Sequence, residues 1–292
     1  MLKDFISAIE KDHLPVYGIV VIQDGRKLAE HHFIPEERRN LYSATKSITS
    51  TAIGMAIEEG YLRLEDNLLS FFEKDLPKGL PGEHLNNLSK VTLERLLKMS
   101  VVDYTFERPI CDNWLTYILS IPLPKVDEIA FSYNNFNAYL AGVMVERATK
   151  TKMMDFLTPR LFEPMGIQHV ECAYSPEGNY YGSTGMFFSI NELARFGQLY
   201  LQKGNYNGRQ LISEEWVEKA TKKQIETGEG GYGYFFWRYK ENIYSASGKW
   251  GQMSIVIPDK NAEIAVMSDL QDESQKALMR KRMWETVYSK LS

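Results

Sequence analysis

Cysteine is scarce in this chain. Cys111 and Cys172 are the only two thiols in 292 residues, and they lie far apart. Two thiols can neither build a disulfide framework nor by themselves hold a structural metal; a reducing compartment fits. Long apolar runs are missing as well. No stretch of 18 apolar residues occurs, so no membrane-spanning helix is expected. Met1–Glu10 reads as a short amphipathic helix, without the apolar core and small-residue cleavage site of an export signal. For a chain complete as given, the expectation is a cytoplasmic location. No block of like charge appears, and a net charge of −4 with a pI near 5.8 leaves no basic footprint for nucleic acid. His13, His31, His32, His84 and His169 show no metal-ligand spacing, so neither a metal nor another cofactor is expected.

What remains is an ordinary globular composition, 44% hydrophobic and 25% charged, in a chain long enough for one large or two intimate domains. Val16–Ile22 is β-prone, Asp24-Gly25 is a turn signal, and Ala29–Phe33 reads as the returning strand of a hairpin. From about residue 61 to 180 the pattern changes to short helical pieces at Thr92–Met99, Asn113–Leu119, Asn137–Ala148 and Met153–Phe162, the last broken or kinked at Pro159. Ser189-Ile190-Asn191-Glu192 is a capping box opening a helix that ends near Gly204. Met253–Ile257 and Ala262–Met267 flank the turn Pro258–Asn261, and a final helix carries Trp284, Val287, Tyr288 and Leu291 on one side. The pattern predicts an α+β fold. Residues 1–60 and 181–292 form an antiparallel sheet flanked by the terminal helices, and 61–180 form an inserted, mostly helical domain. The cleft between the parts is the natural place for a site.

Ser43 and Lys46 form the chain's single S-x-x-K, in Leu41-Tyr42-Ser43-Ala44-Thr45-Lys46. The motif stands where the polar Arg38-Arg39-Asn40 gives way to Ile48, Ala52, Met55 and Ala56 at helical spacing. Positions three apart share a helix face, so a lysine amine one turn beyond a serine hydroxyl can take its proton if its surroundings keep it neutral. About one such match is expected by chance in a chain of this size, and an ordinary helix start with Ser43 near the N-cap looks the same. Tyr133-Asn134-Asn135 is the one Y-x-N. A tyrosine there can shuttle protons if nearby positive charge lowers its pKa, and Asn135 can steer a carbonyl or amide; an Asn-rich turn is the plain alternative. Ser247-Gly248-Lys249, just before the Met253–Ile257 strand, can line a cleft, with Gly248 permitting close backbone approach. A backbone N–H there can join that of Ser43 to hold an oxyanion. The run Tyr232, Tyr234, Phe235, Phe236 and Trp237 reads as core more readily than as a cleft wall.

The three motifs in this order resemble those of the serine β-lactamase and penicillin-binding-protein superfamily, most nearly its class C-like esterase, D-peptidase and amidase branch. Leu161–Ile167, Gly182–Ser189 and Glu192–Leu199 are also similar to runs of that family, so the likeness covers nearly the whole chain. It implies Ser43 as acyl-accepting nucleophile, Lys46 as its base, Tyr133 as proton exchanger and Asn135 as substrate-orienting amide. The N–H groups of Ser43 and Lys249 are implied as the oxyanion hole, with Ser247 and Gly248 beside them. The implied reaction is acyl transfer from a small ester, amide or peptide, without metal or membrane. Two departures stand out. Ala246 occupies the third motif where penicillin-recognising members carry lysine, so an esterase or amidase fits better than a β-lactamase or D-amino-acid peptidase, and Lys249 is the nearest cation in sequence. Val101-Val102-Asp103 replaces the family's T/S-G-L turn. A non-catalytic β-lactam- or peptide-binding module is the reading from a different class. Oligomeric state is not legible.

Overall fold

The computed structural model describes residues 1–104, 111–228, 230–239 and 242–292. The helices are α1 (Lys3–Lys11), α2 (Thr45–Glu58), α3 (Leu68–Phe71), α4 (Gly82–Ser89), α5 (Leu93–Leu97), α6 (Trp114–Ser120), α7 (Phe136–Thr149), α8 (Met153–Leu157), α9 (Ile190–Leu201), α10 (Glu214–Thr221) and α11 (Glu273–Thr286). The strands are β1 (Val16–Gln23), β2 (Arg26–His32), β3 (Arg39–Asn40), β4 (Phe187–Phe188), β5 (Asn205–Tyr206), β6 (Arg209–Gln210), β7 (Trp237–Arg238), β8 (Tyr244–Ser247), β9 (Met253–Ile257) and β10 (Ala262–Ser268).

One six-stranded sheet, ordered β2-β1-β10-β9-β8-β7 with every pair antiparallel, joins strands from both ends of the chain. Alternation along β1 sets its two faces. Ile19 and Val21 point to a core shared with Phe5 and Ile9 of α1 and Met279 and Met283 of α11. Val20 and Ile22 point the other way, into the larger core with α2, α7 and α9. This is the expected α+β architecture, with terminal helices backing the sheet. Among the described residues no helix is long and apolar enough to cross a membrane.

Local departures have physical causes. The segment after α8 continues as a π-turn, Thr158–Phe162. Pro159 has no N–H to complete an α-turn, and the chain widens there without ending. α11 stops at Thr286, earlier than its apolar spacing suggests, and a 3-10 turn at Tyr288–Lys290 follows. The unwound backbone carries Leu291 into the core with Leu2 and Phe5.

A buried acid lies between sheet and helix. Glu263 of β10 is fully buried against Gly197 of α9. Its Oε1 accepts from Ser254 Oγ at 2.8 Å, and its Oε2 has no partner among the described residues. Desolvation holds this carboxyl well above the usual carboxylate range, with Ser254 opposing. The folded protein therefore keeps a proton that the unfolded chain releases above about pH 4. The fold loses stability as pH rises from there toward the raised value. Glu263→Gln should flatten that decline, read as a denaturation midpoint that falls less between about pH 5 and 8 than in the wild type. Ser189, whose side chain completes the capping box of α9 with Glu192, gives a second test: Ser189→Ala should cost about 1 kcal/mol in chemical denaturation.

Candidate active site

α2 is buried on every side from Thr45 to Ala56. Three of its hydroxyls bond to what surrounds it: Ser47 Oγ to Phe235 O at 2.7 Å, Thr49 Oγ1 to Gly182 O at 2.7 Å, and Thr51 Oγ1 with Tyr200 Oη at 2.7 Å, while Ser50 Oγ has no partner among the described residues. A polar-bearing helix can lie in a core when most such groups find a partner, and these bonds also fix its rotation. Lys46, in its first turn, is consequently carried inward and has no exposed surface.

The Lys46 Nζ lies 3.1 Å from Ser43 Oγ, 2.8 Å from Asn135 Oδ1 and 3.0 Å from Ser183 O. All three partners are neutral. Burial without a counter-charge pushes its pKa down to about 7. Ser43, in the 3-10 turn leading into α2, keeps part of its surface exposed. Ser183 was not singled out by its side chain, because it acts through its carbonyl. The signal lay in the neighbouring glycine: Gly182 has φ +70°, and a Cβ there would sit 2.6 Å from Ala138 O of α7. Only glycine lets this loop press against α7 and reach Lys46.

Tyr133 lies beside the pair, its ring centroid 4.9 Å from Lys46 Nζ. The condition of a pKa lowered by nearby positive charge is not met. Burial pushes the phenol up to about 12, and the Ser43 hydroxyl beside it only partly offsets this. The reason is that the nearby lysine is itself desolvated and close to neutral. Asn135 is exposed, and its carbonyl oxygen faces Lys46.

The third motif approaches from the sheet. A Cβ on Gly248 would fall 2.1 Å from Leu41 O and 3.3 Å from Ala44 N, so the end of β8 abuts the turn that carries Ser43. Tyr42 (φ +47°) and Trp250 (φ +63°) both adopt left-handed backbone, and their rings meet edge-to-face at 4.8 Å. Such conformations cost roughly 1–2 kcal/mol each for non-glycine residues, and the ring contact returns about 0.5–1.5 kcal/mol. Lys249 is exposed, its amine 4.7 Å from the Trp250 ring centroid. Ser247 is partly exposed, its hydroxyl 2.7 Å from that of Ser245. Of the aromatic run, Tyr232, Tyr234, Phe235 and Phe236 are core, while Trp237 stacks on Tyr133 at 5.4 Å and lines a cavity with Ser247 and Gly248. Elsewhere, the ligand atoms of Glu30, His32 and Glu36 lie within 4.8 Å of one another. Glu30 there is already bonded by Lys27, His32 and Asn191.

A sequence model of the beta-lactamase family matches residues 2–288. The 6-aminohexanoate-dimer hydrolase of Paenarthrobacter ureafaciens is 21% identical over 233 residues, 73% of this chain and 59% of that protein. The chain thus spans less than two thirds of that relative's length. A class C beta-lactamase superposes with a TM-score of 0.78 at 12% identity, covering 98% of this chain and 95% of the other. A penicillin-binding-protein homologue from Caulobacter crescentus gives 0.73 at 14% identity and 97% of each chain. At such identities the structural likeness shows the fold.

The buried amine gives a direct measurement. With lysine ε-carbons labelled with ¹³C, one resonance should titrate with a midpoint near 7 and vanish in Lys46→Met. A midpoint for that resonance above about 10, the value of a solvated lysine, would contradict the desolvation argument.

Proposed function

The chain belongs to the beta-lactamase family, and on that premise we propose that it is a serine hydrolase passing the acyl group of a small amide or ester through Ser43 to water. The observation that carries this reading is the fully buried Lys46 amine 3.1 Å from a partly exposed serine hydroxyl. Near neutral pH a large fraction of that amine is unprotonated. It takes the Ser43 proton as Oγ bonds to the substrate carbonyl carbon. The carbonyl electrons move to oxygen, where the backbone N–H groups of Ser43 and Lys249 are the assigned donors.

Tyr133 has the complementary role. At a pKa of about 12 it stays a phenol at neutral pH, so it delivers a proton to the departing amine or alkoxide and is reprotonated from Lys46. Two groups whose surroundings push their pKa values apart in this way divide base from acid. Deacylation runs the same route with water in place of Ser43. Asn135, whose oxygen is held by Lys46, presents its NH₂ to the substrate.

The relative that hydrolyses a 6-aminohexanoate dimer supports a small-molecule substrate. Ala246 favours an amidase or esterase over a β-lactamase or D-peptidase: it is 2% exposed and packed in the core, so no cation stands at that motif position. The reaction is assigned to the junction where residues 1–60 and 181–292 meet the helical segment 61–180.

Ser43→Ala should lower turnover of p-nitrophenyl acetate by about 10³-fold or more, and Lys46→Met by about 10²–10⁴-fold. Because the base form of Lys46 is required, kcat/KM should be lost as pH falls through about 7 and reach a plateau above it. Wild-type turnover in Ser43→Ala, or failure of a fluorophosphonate to label Ser43 in folded protein, would sink the proposal.

A further inference from the structure

The serine turn and the lysine's carbonyl partner reach the site from distant parts of the chain, and one side chain ties them together. β3 pairs with β4, Arg39 opposite Phe188 and Asn40 opposite Phe187. Leu41 N then donates to Met186 O at 2.8 Å. The chain next swings through Tyr42 (φ +47°) into the 3-10 turn Tyr42–Ala44 that holds Ser43. The N–H groups that open such a turn have no partner inside it. Asn40 Oδ1 takes one of them, accepting from Tyr42 N at 2.8 Å, and it also accepts from Gly185 N at 3.1 Å. A carboxamide oxygen has two lone pairs, and both are used. Gly185 is two residues beyond Ser183, whose carbonyl accepts from Lys46 Nζ at 3.0 Å.

That carbonyl decides which way the base points. A neutral lysine amine has two N–H bonds and one lone pair. Of its three partners, Asn135 Oδ1 and Ser183 O can only accept. They occupy both N–H bonds and leave the lone pair for the Ser43 hydroxyl, 3.1 Å away. Were Ser183 O to draw back, an N–H would be free to turn toward Ser43, and the amine would donate to the nucleophile where it must accept. The loop that carries Ser183 is fixed on one side by Thr49, which donates to Gly182 O. On the other side, among the described residues, the bond to another segment nearest Ser183 is the one from Gly185 N to Asn40.

Resting on the acyl-enzyme reading above, we infer that Asn40 is a positioning residue for the proton transfer from Ser43 to Lys46. Its one oxygen fastens the turn that carries the nucleophile to the loop that orients the base, and so keeps the lysine lone pair on the serine hydroxyl. The β3–β4 ladder and the bond from Leu41 to Met186 do not involve its side chain, so its loss loosens the site and spares the fold. Asn40 also lines a cavity with Tyr42, Trp250 and Asp269, where a direct hold on substrate is the competing role. Rate and binding separate the two.

The test reads the labelling of Ser43 by a fluorophosphonate, resolved into a binding constant and a limiting rate, with the labelled residue identified by mass spectrometry. Asn40→Ala should lower the limiting rate about tenfold or more, the scale of a small misplacement of reacting groups, and change the binding constant by less than about twofold. Asn40→Asp, which keeps the accepting oxygen, should restore most of the rate. Asn40→Ser keeps a local turn bond to Tyr42 N but is too short for Gly185, so it should resemble Asn40→Ala and gives a folded comparison if alanine destabilises the turn. A wild-type limiting rate in Asn40→Ala or Asn40→Ser, a loss confined to the binding constant, or a loss that Asn40→Asp does not restore overturns the inference while leaving the acyl-enzyme reading intact. Absence of labelling at Ser43 in the wild type overturns that reading and this inference with it.

Discussion

A lysine amine with no exposed surface, surrounded by three neutral oxygens, is what the rest of this structure is arranged around. Holding it as a cation in that position costs on the order of 5 kcal/mol relative to water, so the protein keeps it close to neutrality. That state depends on several elements at once. α2 must be sunk in the core, Gly182 must let its loop touch α7, and Asn135 must stand at the entrance to α7. Loss of any of them would admit water or a counter-charge and return the amine to an ordinary cation.

The burial of α2 explains a composition that would be odd on a surface helix. Ser47, Thr49 and Thr51 are fully or almost fully buried, each bonded to a different segment. These bonds set the helix's rotation, and rotation decides whether Lys46 faces Ser43 or merely fills space. The strain at Tyr42 and Trp250 belongs to the same arrangement. Each ring sits next to one residue assigned to the oxyanion hole, and their mutual contact helps hold two costly backbone conformations in place.

Much of the fold was legible locally. The β-prone runs of β1, β9 and β10, the Asp24-Gly25 turn and the Ser189–Glu192 capping box are signals that neighbouring residues write for one another. The end of α11 was misjudged because apolar spacing continues past Thr286, while long-range packing onto Leu2 and Phe5 unwinds the backbone. In the aromatic run, four residues are core and Trp237 walls the cavity, a division made by contacts across the molecule. The charge state of Tyr133 was not legible for a similar reason. Sequence places a lysine near a tyrosine without saying that both are desolvated.

The sequence by itself determined the α+β class, the pairing of terminal strands and helices, the family, and which residue types stand at the three motifs. These follow from short-range periodicity and from chemistry written in adjacent residues. Only the tertiary structure decided that Lys46 is dry, that Ser183 supplies its third oxygen through the backbone, and that Lys249 turns out over Trp250. Charge state and side-chain direction depend on what surrounds a group in space, and for Lys46 those neighbours include Asn135, 89 residues away, and Ser183, 137 residues away.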